Sequence, residues 1–375
     1  MKILFLTHYD NMYGANKALL SLMLSLKQEG KEVMLVIPAE GEMTERLRAA
    51  EIPYIVSTVT AWEAPFGTLP TFLKKRAKRK NQIARELNFL YDKTKDLGID
   101  VVHTNSSVMG TGAMLAEKLG CKHIWHVREY GKEHFGNVNF YPAKRVQAYY
   151  EKADAIVAIS DALKTHIQEK YPAAKVRRIY DGVSLDKEPV LRKSSDADHI
   201  IRFVYLGYLF PMKHQLDVMK ACILLKKQGI RNFQVTLAGG GGHPYGERLK
   251  RFKERYHLQN VQLPGYVKEP YAMLEESDVG IIASEYEGFG LVTVEYMLHE
   301  MPVIGRKSGA TPELIKNGET GFLYETPQQL ADKMKYLITH EEARKALGSK
   351  GRMRAQETFP LARNVEEILA LYREL

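Results

Sequence analysis

Short apolar runs alternate with longer amphipathic stretches along the whole chain, a rhythm that predicts parallel α/β architecture. In the first half the runs are KILFLT, EVMLVI, YIVST, DVVHTN, HIWHVR, AIVAIS and VRRIYD. Helix-length segments such as residues 15–30 and 108–119 lie between them. The runs are continuous in Val, Ile and Leu rather than alternating, so strands covered on both faces are expected. Residues 185–199, LDKEPVLRKSSDADH, interrupt the rhythm with charge, serine and a proline, and read as a linker. The rhythm then resumes in IRFVYLG, FQVTLAG, VQLPG, VGIIAS, PVIG and TGFLY. MKILFLTHYD and IRFVYLGYLF use one device twice, a buried strand followed by a loop that enters a helix. Two doubly wound domains in tandem are expected, with ligands beyond the carboxyl ends of their strands.

One stretch strains this reading. In residues 284–305, SEYEGFGLVTVEYMLHEMPVIG, the segment LVTVEY has the propensity of a strand, but the α/β rhythm requires a helix there, starting near Gly290. The glycines permit φ > 0 and close backbone approach, and the helix start offers unpaired N–H groups to an anion. Glu287 lies in the loop and Glu295 in the second helical turn. Carboxylates accept hydrogen bonds from sugar hydroxyls, so the pair suits a glycosylated diphosphate. The plainer alternative makes Glu287 a helix cap and Glu295 a solvated side chain. LAGGGGHPYGERLK offers a run of four more glycines between a strand and a helix, but no G-x-G-x-x-G dinucleotide fingerprint, and a flexible wall is expected there.

Composition narrows the class. With 375 residues, 45% of them hydrophobic and 26% charged, the chain has material for two ordinary globular cores. No apolar run approaches bilayer length, and the apolar start reads as a first strand rather than a signal peptide, so a cytoplasmic location is expected. Cys121 and Cys222 are expected as buried free thiols, without a disulfide or metal framework. Lys and Arg number 54 against 45 Asp and Glu, an excess suited to an anionic partner. Much of it is local: residues 73–85 carry seven basic side chains and no acid. A helix over 69–97 is expected there, either simply solvated or docking on anionic lipid through Lys74, Lys75, Arg76, Lys78, Arg79 and Lys80, with Phe72 and Leu73 dipping into the headgroups. The run lacks interleaved aromatics and a reader motif, which argues against nucleic acid.

E-G-F-G-x-x-x-x-E over residues 287–295, followed by MPVIG after a short helix, resembles the paired-glutamate signature of retaining glycosyltransferase family 4 (glycosyl transferases group 1). Other stretches match in the same order over most of the chain. YGANKALLSL is similar to the family's first glycine loop, AIVAISDALK and RRIYDGVSLD to the end of its N-terminal domain, and YLGYLFPMKHQLDVMKA to its phosphate-contacting loop. LPGYVKEPYAMLEESDVGIIAS resembles the nucleotide-side segment, and SGATPELIKNGETGFLY the stretch after the signature.

The resemblance implies a GT-B fold: two Rossmann-like domains facing across a cleft, residues 1–185 on the acceptor side and 186–358 on the nucleotide-sugar side, with a terminal helix at 359–375 packing back on the first. It implies sugar transfer from a nucleotide-diphosphate donor, with uridine the expected base and guanosine next. The acceptor is a glycan or lipid-linked, and a peripheral place on the inner membrane face is expected. The configuration is retained, with no bound metal and no cofactor, the nucleotide sugar being a substrate. A metal-free site must meet leaving-group charge with cations and backbone donors. Lys213 is the expected cation; Gly14 and the amides of Gly288, Phe289, Gly290 and Leu291 are the expected donors. Glu295 is implied to bind the ribose and Glu287 the donor sugar. His126, closing KHIWHVRE, is implied to contact the donor sugar or steer the reacting groups, the alternative being a structural histidine. His103 and Asn105 either join the site or shape its floor.

Three positions depart from the family pattern: Tyr13 stands where a second glycine is usual, Tyr208 where an arginine is usual, and Asp181 where asparagine is common. Arg128 is the candidate replacement cation, and Arg128 and Tyr208 are the candidate phosphate or acceptor contacts. Two other classes remain open: a sugar-nucleotide epimerase of the same fold, and a non-catalytic subunit, which the Tyr208 departure permits. A nicotinamide-dependent oxidoreductase lacks its fingerprint.

Overall fold

The structure, a computed structural model, describes residues 1–65, 69–131, 136–185, 188–189, 200–241, 244–268 and 270–375. The chain divides into two compact units, Met1–Gly182 with Leu361–Leu375, and Val183–Pro360. The expected boundaries were 185/186 and 358/359. Most of the expected linker lies outside the described residues.

In the first unit the strands are β1 (Lys2–Leu6), β2 (Glu32–Ile37), β3 (Tyr54–Val56), β4 (Glu63–Pro65), β5 (Val101–Thr104), β6 (Lys122–Val127), β7 (Asn137–Asn139), β8 (Ala155–Ala158) and β9 (Val176–Arg178). Seven of them form a parallel sheet in the order β3-β2-β1-β5-β6-β8-β9. Side chains of β1 alternate between two cores. Ile3 and Phe5 join Leu19 and Met23 of the helix Gly14–Gln28 and Val365, Ile368 and Leu371 of the helix Leu361–Arg373. Leu4 and Leu6 face Leu90, Met109 and Leu115 on the other side. A strand buried on both faces cannot afford a polar position on either, which is why its sequence is unbroken Ile, Leu and Phe. β4 and β7 pair antiparallel as a separate ribbon. Sequence reading missed it, because three-residue strands are too short to show a period.

The second unit holds β10 (Ile201–Leu206), β11 (Phe233–Ala238), β12 (Val261–Gly265), β13 (Val279–Ile282), β14 (Val303–Arg306) and β15 (Gly321–Tyr324), all parallel, in the order β12-β11-β10-β13-β14-β15. In both sheets the strand order reverses beside the first strand, between β1 and β5 and between β10 and β13. Adjacent loops leave a doubly wound sheet in opposite directions at such a point, which opens a crevice there.

LVTVEYML is a helix, Leu291–Leu298. Thr293, Val294, Tyr296 and Met297 are its buried positions, a helical spacing. Tertiary burial thus overrides the strand propensity of its β-branched residues. Cys121 is half-buried and Cys222 buried, both free; burial pushes their thiols up to about 11 and about 12.

Candidate functional site

The reversal in the second sheet brings two loops together. From β10 the chain enters the single turn Pro211–Lys213, and from β13 it enters the glycine loop before Leu291. Lys213 Nζ lies 3.0 Å from Glu287 Oε2, with side-chain exposures of 21% and 18%. The lysine turn is pinned from below: buried Tyr205 of β10 donates its hydroxyl to the Lys213 carbonyl at 2.9 Å. Next to it, His214 sits in the left-handed region at φ 52. Its Nδ1 is 3.1 Å from Asp217 Oδ2 and its Nε2 3.0 Å from Glu285 Oε2. The hydrogen bond with Asp217 outweighs burial and, with that to Glu285, raises the His214 pKa; the ring staples the lysine turn to the glutamate loop. Burial works against the Asp217 carboxylate, but its bonds to His214 and Lys220 prevail and hold it down to about 2.

The glutamate loop is clamped from the other side by residues 308–310. Ser308 donates its hydroxyl to the Glu285 carbonyl, and Ala310 N donates to the Glu287 carbonyl at 2.9 Å. At Gly309, φ +55, a Cβ would come within 2.6 Å of the Glu287 carbonyl oxygen, so only glycine fits. Gly290 caps the helix Leu291–Leu298 at φ +98, and no side chain caps that helix. The positive end of its dipole is therefore open to an anion beside Lys213 and Glu287. Gly288 and Gly290 flank Phe289, whose ring is 2% exposed and packs edge-on to Phe359 at 5.6 Å. Phe289 therefore anchors the loop with its side chain and offers only its backbone to a ligand. Glu295 is half-buried on the helix. Its neighbour Tyr296 packs against Gly280, where a Cβ would clash at 2.2 Å, and accepts Leu206 N–H at 2.7 Å. That contact sets which face of the helix carries Glu295.

Tyr208, 46% exposed, offers its carbonyl to Gln215 Nε2 at 3.0 Å. The glycines expected as a flexible wall are packed tightly instead. A Cβ on Gly239 would lie 1.8 Å from the Gly207 carbonyl oxygen, and Leu209 N donates to Gly240 O at 2.9 Å. Residues 242–243 lie outside the described residues.

In the first unit the ends of β5 and β6 deliver a buried polar cluster. His103 Nε2 is 3.1 Å from His126 Nδ1, and His103 Nδ1 is 2.7 Å from the hydroxyl of Tyr372 on the terminal helix. Arg128 holds Asp181 through Nη1 at 2.6 Å and Asn105 Oδ1 through Nε at 2.6 Å. The guanidinium proposed as a ligand contact is thus already matched by a carboxylate of its own unit, which accounts physically for Asp181 where asparagine is common. Burial, reinforced by Arg128 and the neighbouring histidine, pushes both His103 and His126 well below the ordinary histidine value. Both rings are uncharged at neutral pH.

Gly14 opens the helix Gly14–Gln28, which also has no side-chain cap. Buried Asn16 ties the preceding loop, donating to the carbonyls of Tyr9 at 2.9 Å and Asn11 at 2.7 Å. The same unit contains a cavity of about 290 Å³ lined by Trp62, Glu63, Glu129, Asn137, Tyr150 and Lys170 among others. Glu129 Oε1 is fixed by Ser106 Oγ at 2.6 Å and by Ser107 N and Oγ at 2.6 and 2.7 Å.

The basic segment is a helix, Leu69–Thr94. Lys74, Lys75 and Lys78 are exposed, Arg76, Arg79 and Lys80 partly buried, and Ile83 and Leu90 face the core. Phe72, expected to dip into headgroups, instead stacks on Phe140 at 5.4 Å; the side chain of Leu73 lies outside the described residues. No helix among the described residues is long and apolar enough to cross a membrane. Among the same residues no group of three or more His, Cys, Asp or Glu side chains is placed to hold a metal ion.

Two family models match the chain, Glycosyltransferase Family 4 over residues 12–187 and Glycosyl transferases group 1 over residues 187–354. The chain belongs to glycosyltransferase family 4. This glycosyltransferase is 27% identical to EpsD of Bacillus subtilis over 296 residues, 73% of the chain and 76% of that protein. It is 23% identical to the poly(ribitol-phosphate) alpha-N-acetylglucosaminyltransferase of Staphylococcus aureus over 333 residues, 85% of the chain and 64% of that enzyme. Against Anabaena HepE, whose crystal structure is in complex with UDP and glucose, the TM-score is 0.79 at 20% identity, with 100% of each chain covered. That likeness establishes the GT-B fold.

Sequence reading of this glycosyltransferase singled out Lys213, Glu287 and Glu295 but missed His214, Asp217, Glu285 and Tyr372. His214 and Asp217 carry a local signal, an i, i+3 pair at a helix start. Glu285 and Tyr372 act across 71 and 269 residues of chain, and no spacing rule reaches that far.

Proposed function

We propose that the enzyme transfers a hexose from a UDP-sugar to a glycan or lipid-linked acceptor, with retention and without a metal ion. The observation that carries this reading is the Lys213–Glu287 pair beside the uncapped helix start at Gly290. When a nucleoside diphosphate departs, negative charge grows on its oxygens, and fixed donors that already point there stabilise that charge without reorganising. Lys213 and the amides at residues 288–291 meet the diphosphate. Glu295 accepts from ribose hydroxyls and Glu287 from the sugar. Lys213 is held between the diphosphate and Glu287, and its pairing with Glu287 presets its position.

The complexes of Anabaena HepE with UDP, glucose and UDP-glucose support a uridine donor. The name of the Staphylococcus aureus relative supports a hydroxyl-rich polymeric acceptor. His126 serves the transferring sugar as a hydrogen-bonding group. The cavity of the first unit, with aromatic edges, two carboxylates and three amides, suits an acceptor sugar ring. The exposed cations of the helix Leu69–Thr94 suit an anionic membrane surface, which would keep a lipid-linked acceptor close. UDP release from UDP-glucose and UDP-N-acetylglucosamine is expected to proceed undiminished in EDTA. A strict requirement for added divalent cation would remove Lys213 and the helix start from their assigned task.

A further inference from the structure

The row Tyr372–His103–His126 has a proton order that its surroundings decide. The Tyr372 hydroxyl is 2.7 Å from His103 Nδ1, and His103 Nε2 is 3.1 Å from His126 Nδ1. Their residues are 2%, 0% and 0% exposed, so water does not settle the matter. Two arrangements satisfy both bonds. In the first, Tyr372 donates to His103 Nδ1, His103 Nε2–H donates to His126 Nδ1, and the His126 proton is on Nε2. In the second every bond reverses, and His126 carries its proton on Nδ1.

Two observations select the first. Reversal makes the Tyr372 oxygen an acceptor and turns its own proton away from its hydrogen-bond partner among the described residues. A buried hydroxyl left in that state costs the desolvation of an unmade bond. In addition, His126 Nε2 lies 3.9 Å from Asp181 Oδ1. An N–H is attracted to that carboxylate, whereas a ring lone pair is repelled. Nε2 has no hydrogen-bond partner of its own among the described residues, which leaves it to bind another group.

We propose that Tyr372, acting through His103, fixes the proton of His126 on Nε2, which makes that atom a hydrogen-bond donor to an oxygen of the substrate. Tyr372 and His103 are positioning residues, and the terminal helix thereby sets the chemistry of His126 through His103. The substrate role rests on the assignment of His126 under the proposed function; the proton position does not.

Nitrogen NMR of the full chain labelled with ¹⁵N-histidine reads the tautomer directly, with His126 assigned by its loss in His126→Gln. The wild type is expected to show His126 protonated on Nε2. In Tyr372→Phe, which removes one oxygen and is checked for folding by urea denaturation, the tautomer ratio should fall about five-fold toward the Nδ1 form. His103→Leu should do the same by removing the second donor. A wild-type proton on Nδ1, or an unchanged His126 signal in both variants, overturns the proposal. UDP release from UDP-glucose supplies the separate readout. Tyr372→Phe should lower kcat, by at most about five-fold, at unchanged KM. A moved proton with unchanged turnover would uphold the relay and remove His126 from catalysis.

Discussion

In the first unit, His103, Asn105, His126, Arg128 and Asp181 are each no more than 8% exposed, and every charge is matched inside the cluster. In the second, Lys213, His214, Glu285 and Glu287 keep between 18% and 37% of their side chains in contact with solvent. Both clusters sit at the ends of parallel strands, yet they answer to different physics. A dry, matched cluster has no partner to spare, so losing one member leaves a charge stranded. A half-wet cluster can trade a protein partner for a ligand at little cost to folding. The first is fitted to hold geometry, with only His126 Nε2 left without a hydrogen-bond partner among the described residues, and the second to bind.

The sharpest way to break this contrast is to remove one charge from each. Asp181→Ala should destabilise the protein by about 3–5 kcal/mol in urea denaturation, because Arg128 remains buried and unmatched. Lys213→Ala should cost about 1 kcal/mol or less in the same experiment. Equal unfolding midpoints would show that burial does not separate the clusters. The order should invert for turnover, where Lys213→Ala is expected to lose a hundred-fold or more in UDP release with its fold intact.

Acid provides a second contrast, of opposite sign in the two units. His103, His126 and His123, the last pushed by burial to about 3, have folded pKa values below the unfolded value. Each contributes stability that is present above about pH 6.5 and is lost below it, at about 1.4 kcal/mol per pH unit, because the unfolded chain takes up a proton that the folded one refuses. His214 runs the other way: its raised pKa gives stability that is complete below about pH 6.5 and fades as pH rises through the folded value. Histidine NMR between pH 5 and 8 should therefore find the three buried rings silent and His214 more protonated at each pH than an ordinary histidine. Titration of His126 in that window would contradict its burial. A smaller effect is expected at the surface. Replacing Lys74, Lys75, Arg76, Lys78, Arg79 and Lys80 by glutamine should lower sedimentation with phosphatidylserine vesicles about ten-fold, without a change in unfolding. Equal sedimentation would end the membrane proposal.

Much of this arrangement was legible from the order of residues. The strands of both large sheets show as unbroken apolar runs, since a two-faced strand tolerates nothing else. The helix Leu291–Leu298 was legible only through that rhythm, against its own propensity. Lys213, Glu287 and Glu295 were found because turn glycines and charged residues cluster locally in a recognisable pattern. What stayed hidden was pairing at a distance. Arg128 looked like a spare cation until Asp181, 53 residues away, was seen to hold it. Phe72 looked available to a membrane until Phe140 was found stacked on it. The glycines at 239–241 looked mobile, because sequence cannot tell a glycine needed for freedom from one needed for close approach. In each case the deciding partner came from another element, where hydrophobic periodicity and local spacing carry no information.

The most direct trial is crystallography of the full chain with UDP. The account predicts the two phosphates against the amide ends at residues 288–291, with the Lys213 ammonium on a phosphate oxygen and Glu295 on the ribose. Clear density for UDP at any other place, with the Lys213–Glu287 contact undisturbed, would contradict it.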